Sequence, residues 1–176
     1  MIIYVLTNRV RVLDPTYDQI KYNIYYDIKN DPHSCYIDLL NKIKDLDDDI
    51  LILEDDLILC KNFTYYINES VKKFPNMILN FFWQPLRNIK KTTIEYKGFC
   101  YTQCVFYPKG VINKFYNDLK YPDFSYAKNI CQALEKNNIP FINVRPHYVQ
   151  HIGDKSLIWK NLCVRRSNMF IDDIKE

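Results

Sequence analysis

Glycine is scarce: the 176-residue sequence contains three. That excludes a glycine-rich phosphate loop, whose turns and close backbone approach need several glycines within a few positions. Histidine is equally rare. No apolar run approaches the roughly 20 residues of a membrane-spanning helix. The opening MIIYVL has no basic flank and is interrupted at once by Thr7, Asn8 and Arg9, so it does not read as a secretory signal. The expected location is cytoplasmic, a host cytoplasm if the chain is viral. Charge of one sign is lacking too. Lys and Arg number 24 against 21 Asp and Glu, a net +3, too little by itself to argue nucleic-acid or membrane binding. The six cysteines are Cys35, Cys60, Cys100, Cys104, Cys131 and Cys163. The one close pair, Cys100 and Cys104, lacks the Cys-x-x-Cys spacing of a zinc ribbon, and reduced, mostly buried thiols are expected.

What the chain has is aromatic residues, 15% of the total, with 15 Tyr and 10 Phe. They suit a folded core with a stacking-capable cleft, although an Ile/Asn/Lys/Tyr-rich composition from an AT-rich genome explains them as well. Short β-branched and aromatic runs predict strands at 2–6, 22–26, 50–53, 77–82, 92–96, 103–107 and 141–144. Helical spacing fills the intervals. Ser34 is expected to cap a helix burying Tyr36, Leu39, Leu40 and Ile43. Asn62 caps the next, with Phe63, Tyr66, Ile67, Val71 and Phe74 on its stripe. Pro108 opens a third carrying Val111, Ile112, Phe115, Tyr116 and Leu119. Asp123 caps a fourth with Phe124, Ala127, Cys131 and Leu134 inward. Alternating strands and helices predict a single α/β domain with a doubly wound, mixed but mostly parallel sheet. The strands at 92–96 and 103–107, joined by Lys97, Gly98 and Phe99, predict a hairpin or an antiparallel edge.

The informative segment is DLDDDILILEDDLILC, residues 45–60. A continuous apolar run, as in a strand buried on both faces, ends directly in Glu54, Asp55 and Asp56. Ligands of open α/β sheets bind outside the carboxyl ends of strands. Three adjacent carboxylates there repel one another unless a cation or donors compensate. A hard divalent ion with oxygen ligands does so and bridges to phosphates. Along an extended chain Glu54 and Asp56 fall on one side and Asp55 on the other. The earlier run Asp47, Asp48 and Asp49 precedes the strand and reads as a solvated turn.

The string LILEDDLILCKNF resembles the metal-binding strand of nucleotide-sugar glycosyltransferases of the GT-A fold, nearest the lipopolysaccharide and collagen-type sugar transferases. The later stretch PHYVQHIGDKS is similar to the close of several such enzymes. The resemblance implies a GT-A-like, Rossmann-like domain. It also implies transfer of a sugar from a nucleotide-diphosphate sugar, UDP-sugar expected, to a hydroxyl acceptor with Mn2+ or Mg2+. By it, Asp56 and His151 bind the metal, while Glu54 and Asp55 contact the ribose or the metal's water shell. Thr7, Asn8 and Arg9, with Arg11 beside them, approach the base and phosphates, Arg through its bidentate fork. Asp27, ending the second strand, holds base or ribose. Asp123 is the candidate base for the acceptor proton, although helix capping alone also explains it. Glu95 and Asp118 are weaker candidates. Trp83 is an acceptor-stacking candidate, and His147 is expected to be structural. Residues 1–60 would form the nucleotide-binding half, 61–154 the acceptor half and 155–176 a basic tail.

Two further readings stay open. The acceptor is a glycan, a protein or a nucleic-acid base, the last as in viral or phage DNA-modifying transferases. For that case Lys155, Lys160, Arg165 and Arg166, interleaved with Trp159, form a candidate phosphate-contacting strip. Alternatively the chain is a non-catalytic α/β binding module whose acidic triplet merely turns the backbone. So short a chain leaves the acceptor half minimal, or completed by a partner chain or a second copy.

Overall fold

A strand covered on both sides needs apolar side chains at every position, and 50–53 supplies four in a row before the half-buried Glu54. The computed structural model describes residues 1–8, 12–82, 93–97, 99, 101–119, 126–152, 167 and 169–173. Within them, β1 (Ile2–Thr7), β2 (Asn23–Tyr26), β3 (Ile50–Glu54), β5 (Ile78–Asn80), β6 (Thr93–Glu95), β7 (Cys104–Tyr107) and β8 (Phe141–Asn143) share one sheet. Its order is β2-β1-β3-β7-β5-β8-β6. Five strands run one way; β7, between β3 and β5, and the edge strand β6 run against them. A second, two-stranded sheet pairs β4 (Leu57–Leu59) with β9 (Val149–His151) in antiparallel register.

Both faces of the large sheet are covered. On one lie α1 (Pro32–Ile43), α3 (Val111–Phe115) and α4 (Tyr126–Lys136), whose Leu39, Leu40, Ile130 and Leu134 pack on Ile52, Val105 and Phe141. On the other, Phe63 and Ile67 of α2 (Phe63–Lys73), with Leu57, Leu59 and Val149 of the small sheet, cover Leu51, Leu53 and Phe106. The expected mixed α/β domain is therefore what forms, with most strands codirectional.

Several local expectations are corrected. Helix α1 starts two residues before Ser34: Asp31 is the cap, accepting from the His33 N–H at 3.1 Å, and Pro32 occupies the first turn. Asn62 does precede α2, but in the left-handed region (φ 59°), with no side-chain cap bond. The third helix begins at Val111 after Gly110, whose φ of 71° favours glycine. It gives way to a 3-10 turn at Tyr116–Asp118. In α4 the buried stripe is Tyr126, Asn129, Ile130, Ala133 and Leu134, while Ala127 and Cys131 are only half-buried, so the helix is rotated from the expected face. Strands β6 and β7 form no hairpin, because β6 pairs with β8, and β5 and β8 lie between the two. The antiparallel-edge alternative is the one realised. Of the cysteines, Cys35, Cys60 and Cys104 are buried thiols. Burial pushes Cys35 and Cys60 up to about 12. Cys100 and Cys163 lie outside the described residues. Among the described residues no helix is long and apolar enough to cross a membrane.

Candidate functional site

Register alone aligns one end of the sheet. Strand β1 pairs Thr7 with Tyr26 of β2 on one side and Leu6 with Glu54 of β3 on the other. The carboxyl ends of three parallel strands therefore finish level. Because β2 and β3 flank β1 on opposite sides, the winding reverses there, the place where open α/β sheets bind ligands. Thr7, Asn8, Asp27, Glu54, Asp55 and Asp56 all stand at that end. The Asp27 N–H donates to Thr7 O at 2.8 Å, and its Oδ1 accepts from the Asp31 N–H at 3.0 Å. Asp27 thereby closes the turn into α1, while its buried Oδ2 has no hydrogen-bond partner among the described residues.

The small sheet delivers the histidine. Directly after the triplet, β4 pairs with β9 so that Leu57 faces His151, and the Ile152 N–H donates to Asp56 O at 2.9 Å. The result places His151 Nε2 3.1 Å from Asp56 Oδ2, both side chains nearly buried. Residues 95 positions apart in sequence become neighbours through two short strands that hydrophobic patterning did not predict. Ser167 is tied to β9 by Gln150, whose amide donates to Ser167 O at 3.0 Å and accepts from the Ser167 N–H at 2.6 Å. His147 contacts the Ser167 hydroxyl, and its backbone bonds Met169 and Ile171. Burial, and then the charge of Arg145, lower its imidazole to about 4, so it stays neutral and structural, as expected.

Glu54 feels the charges of Asp56 and His151 but takes its hydrogen bonds from other residues. Ile52 packs on the α1/α4 face, and alternation puts Glu54, two residues on, on that same face. There its Oε1 accepts from Tyr126 Oη at 2.7 Å and from Thr102 Oγ1 at 3.2 Å. The Tyr17 hydroxyl donates to the Glu54 backbone carbonyl. Burial, and secondarily the negative charge of Asp56, raise the Glu54 carboxyl to about 7. The Tyr126 bond, His151 and Thr102 oppose that rise. Tyr126 is itself fixed: it opens α4, its N–H donates to His33 Nδ1 at 3.2 Å, and its ring stacks on Tyr36 at 4.9 Å.

Asp56 and His151 suit a hard or borderline divalent ion, being one carboxylate and one imidazole. Ligands of a small octahedral ion lie roughly 2.1 Å from it, so adjacent ones stand about 3 Å apart, the spacing of this pair. The contact is itself an ion pair when His151 is protonated, and a metal between the two would replace it. Among the described residues no group of three or more His, Cys, Asp or Glu could hold a metal ion.

Of the other candidates, Arg9, Arg11, Trp83, Asp123 and the strip from Lys155 to Arg166 lie outside the described residues. The two weaker base candidates are placed away from the site. Glu95 pairs in register with Phe141, the first residue of β8, at the opposite end of the sheet. Asp118 bonds Lys136 and Asn137 at the C-terminal end of α4, about 15 Å along the helix from Tyr126. Sequence reasoning missed Tyr17, Thr102, Tyr126 and the Gln150–Ser167 pair. Only Gln150, inside the VQH string, carried any signal.

No protein-family model matches the sequence, and no curated protein matches it. Among solved structures, the crystal structure of A197 from STIV is similar in fold. The TM-score is 0.50 at 12% identity, covering 99% of this chain and 97% of that one. At that identity the likeness bears on the fold alone: a mixed α/β domain with helices on both sides of its sheet.

Proposed function

We propose that the chain is a metal-dependent glycosyltransferase of GT-A-like architecture. It would take a nucleotide-diphosphate sugar, UDP-sugar first among them, and pass the sugar to a hydroxyl acceptor. The observation that carries this reading is the meeting of Asp56 and His151 beside the carboxyl ends of β1 and β3, where the sheet's winding reverses. Asp56 and His151 would hold Mn2+ or Mg2+. When bound, the ion would grip the diphosphate and neutralise charge on the departing nucleotide. Thr7 and Asn8 lie at the end of β1, where a nucleotide would rest, and Arg9 would contact its phosphates. Asp27 offers an unspent buried oxygen there for a base or ribose donor. Asp55 lies in the turn between β3 and β4 and would contact the ribose or the metal's water shell. Asp123 remains the proposed acceptor base and Trp83 the proposed stacking residue.

The test is release of UDP from UDP-sugars, by transfer or slow hydrolysis. The wild-type protein with manganese should release UDP, and chelation should abolish the release. Asp56→Ala should lower the rate at least a hundredfold, the scale of losing a charge-stabilising group. If no nucleotide sugar is turned over under any divalent metal, the transferase reading is wrong and a non-catalytic binding module takes its place.

A further inference from the structure

A run of three acids beside a histidine would be expected to build a three- or four-ligand metal cage, yet the described residues hold no such group. Hydrogen bonding to Glu54 supplies the reason. Glu54 Oε1 already accepts two hydroxyl hydrogen bonds, from Tyr126 at 2.7 Å and Thr102 at 3.2 Å. Tyr126 opens α4 on the α1/α4 face, and Thr102 lies just before β7. Tyr126 cannot easily follow Glu54 elsewhere. Its ring is stacked between Tyr36 at 4.9 Å and the edge of His33 at 5.6 Å, and its N–H is held by His33 Nδ1.

The geometry points to Tyr126 as a positioning residue that keeps Glu54 out of the ion's sphere. This leaves a two-ligand site of Asp56 and His151, which binds its metal firmly only together with a nucleoside diphosphate. The inference rests on the transferase reading and deepens it. An ion with two protein ligands keeps most coordination positions open, as a catalytic site requires. Phosphate oxygens would fill the open positions, and metal and nucleotide would then raise each other's affinity by the same factor. Were Glu54 free to swing toward Asp56, a third carboxylate would tighten the bare metal and occupy a position the diphosphate needs.

The test measures free manganese by its paramagnetic resonance signal, with and without UDP, in the full chain. The wild type should bind Mn2+ weakly alone and at least tenfold more tightly with UDP present. In Tyr126→Phe, which keeps the stacked ring, and in Tyr126→Phe with Thr102→Val, bare Mn2+ should bind several-fold more tightly. The enhancement by UDP should shrink correspondingly. Adding Glu54→Gln to the double variant should return bare-metal affinity to the wild-type level, which a merely structural role for Tyr126 would not produce. Two results overturn the inference while leaving the transferase reading intact: unchanged bare-metal affinity in folded Tyr126 variants, or no rescue by Glu54→Gln. No manganese binding by the wild type even with UDP would instead overturn the transferase reading, and the inference with it.

Discussion

Glu54 and His147 titrate in overlapping ranges and pull stability in opposite directions. Glu54 is raised from an ordinary 4.5 to about 7, so between those values the folded chain holds more protons than the unfolded one. Stability from that group is present at low pH and is lost as pH rises toward 7. His147 is lowered from 6.5 to about 4, so the unfolded chain binds its proton first. Its contribution is present above 6.5 and is lost as pH falls toward 4. Glu54→Gln keeps an acceptor for Tyr126 and removes the first effect. The variant should gain stability over wild type at pH 8, and the gain should vanish near pH 4.5. Urea denaturation across that range reads the difference; a constant offset at every pH would contradict the assignment. At this scale the sequence was legible where chemistry was local. The acidic triplet followed its apolar strand visibly, but nothing in the string marks Tyr126 as the donor to Glu54, because that bond spans 72 positions.

At the level of elements, the site depends on the smallest sheet. Strands β4 and β9 have three residues each, too short for alternation to announce them, and their pairing needs residues 57 and 151 to be adjacent already. What holds β9 besides its partner is Gln150, which satisfies both the N–H and the C=O of buried Ser167. Gln150→Leu would strand those two groups without hydrogen bonds, at a cost of about 1–3 kcal/mol each if water cannot reach them. It should also displace His151, so manganese-dependent stabilisation by UDP should fall with it. Denaturation of the variant within 0.5 kcal/mol of wild type would show that the clamp is not structural. The larger strands were legible because each is a near-continuous apolar run. The helix starts were not, since Asp31 and Ser34 both suit a cap and only the position of Pro32 decides between them. The supposed hairpin failed for a related reason: proximity in sequence does not fix pairing when each strand also finds a partner through a longer crossover.

For the molecule as a whole, the antiparallel β7 is the tie. It comes from the second half of the chain and lies beside β3 of the first half, in the middle of the sheet. A division at residue 60 can describe roles, but the two sides share one core, with Val105 and Tyr107 in one hydrophobic cluster and Phe106 in the other. Unfolding should therefore be a single transition, coincident by tyrosine fluorescence and circular dichroism. Two separated transitions would show that the halves are independent units. The whole-molecule order of strands was beyond reading from the sequence, because register and crossover are settled by packing between distant segments. Only the class, a mixed sheet under helices, followed from the alternation of periods.

The proposed centre of the molecule is Asp56 and His151 holding an ion that in turn holds a nucleoside diphosphate. Thermal unfolding of the wild type and of Asp56→Ala, with UDP, with manganese and with both, tests it most directly. At a hundredfold excess over the dissociation constant, binding adds about 2.7 kcal/mol, or roughly 5–10 °C for a chain of this size. The wild type should show that rise only with UDP and manganese together, and Asp56→Ala should show none. An equal rise with UDP alone, or an undiminished rise in folded Asp56→Ala, would contradict the account.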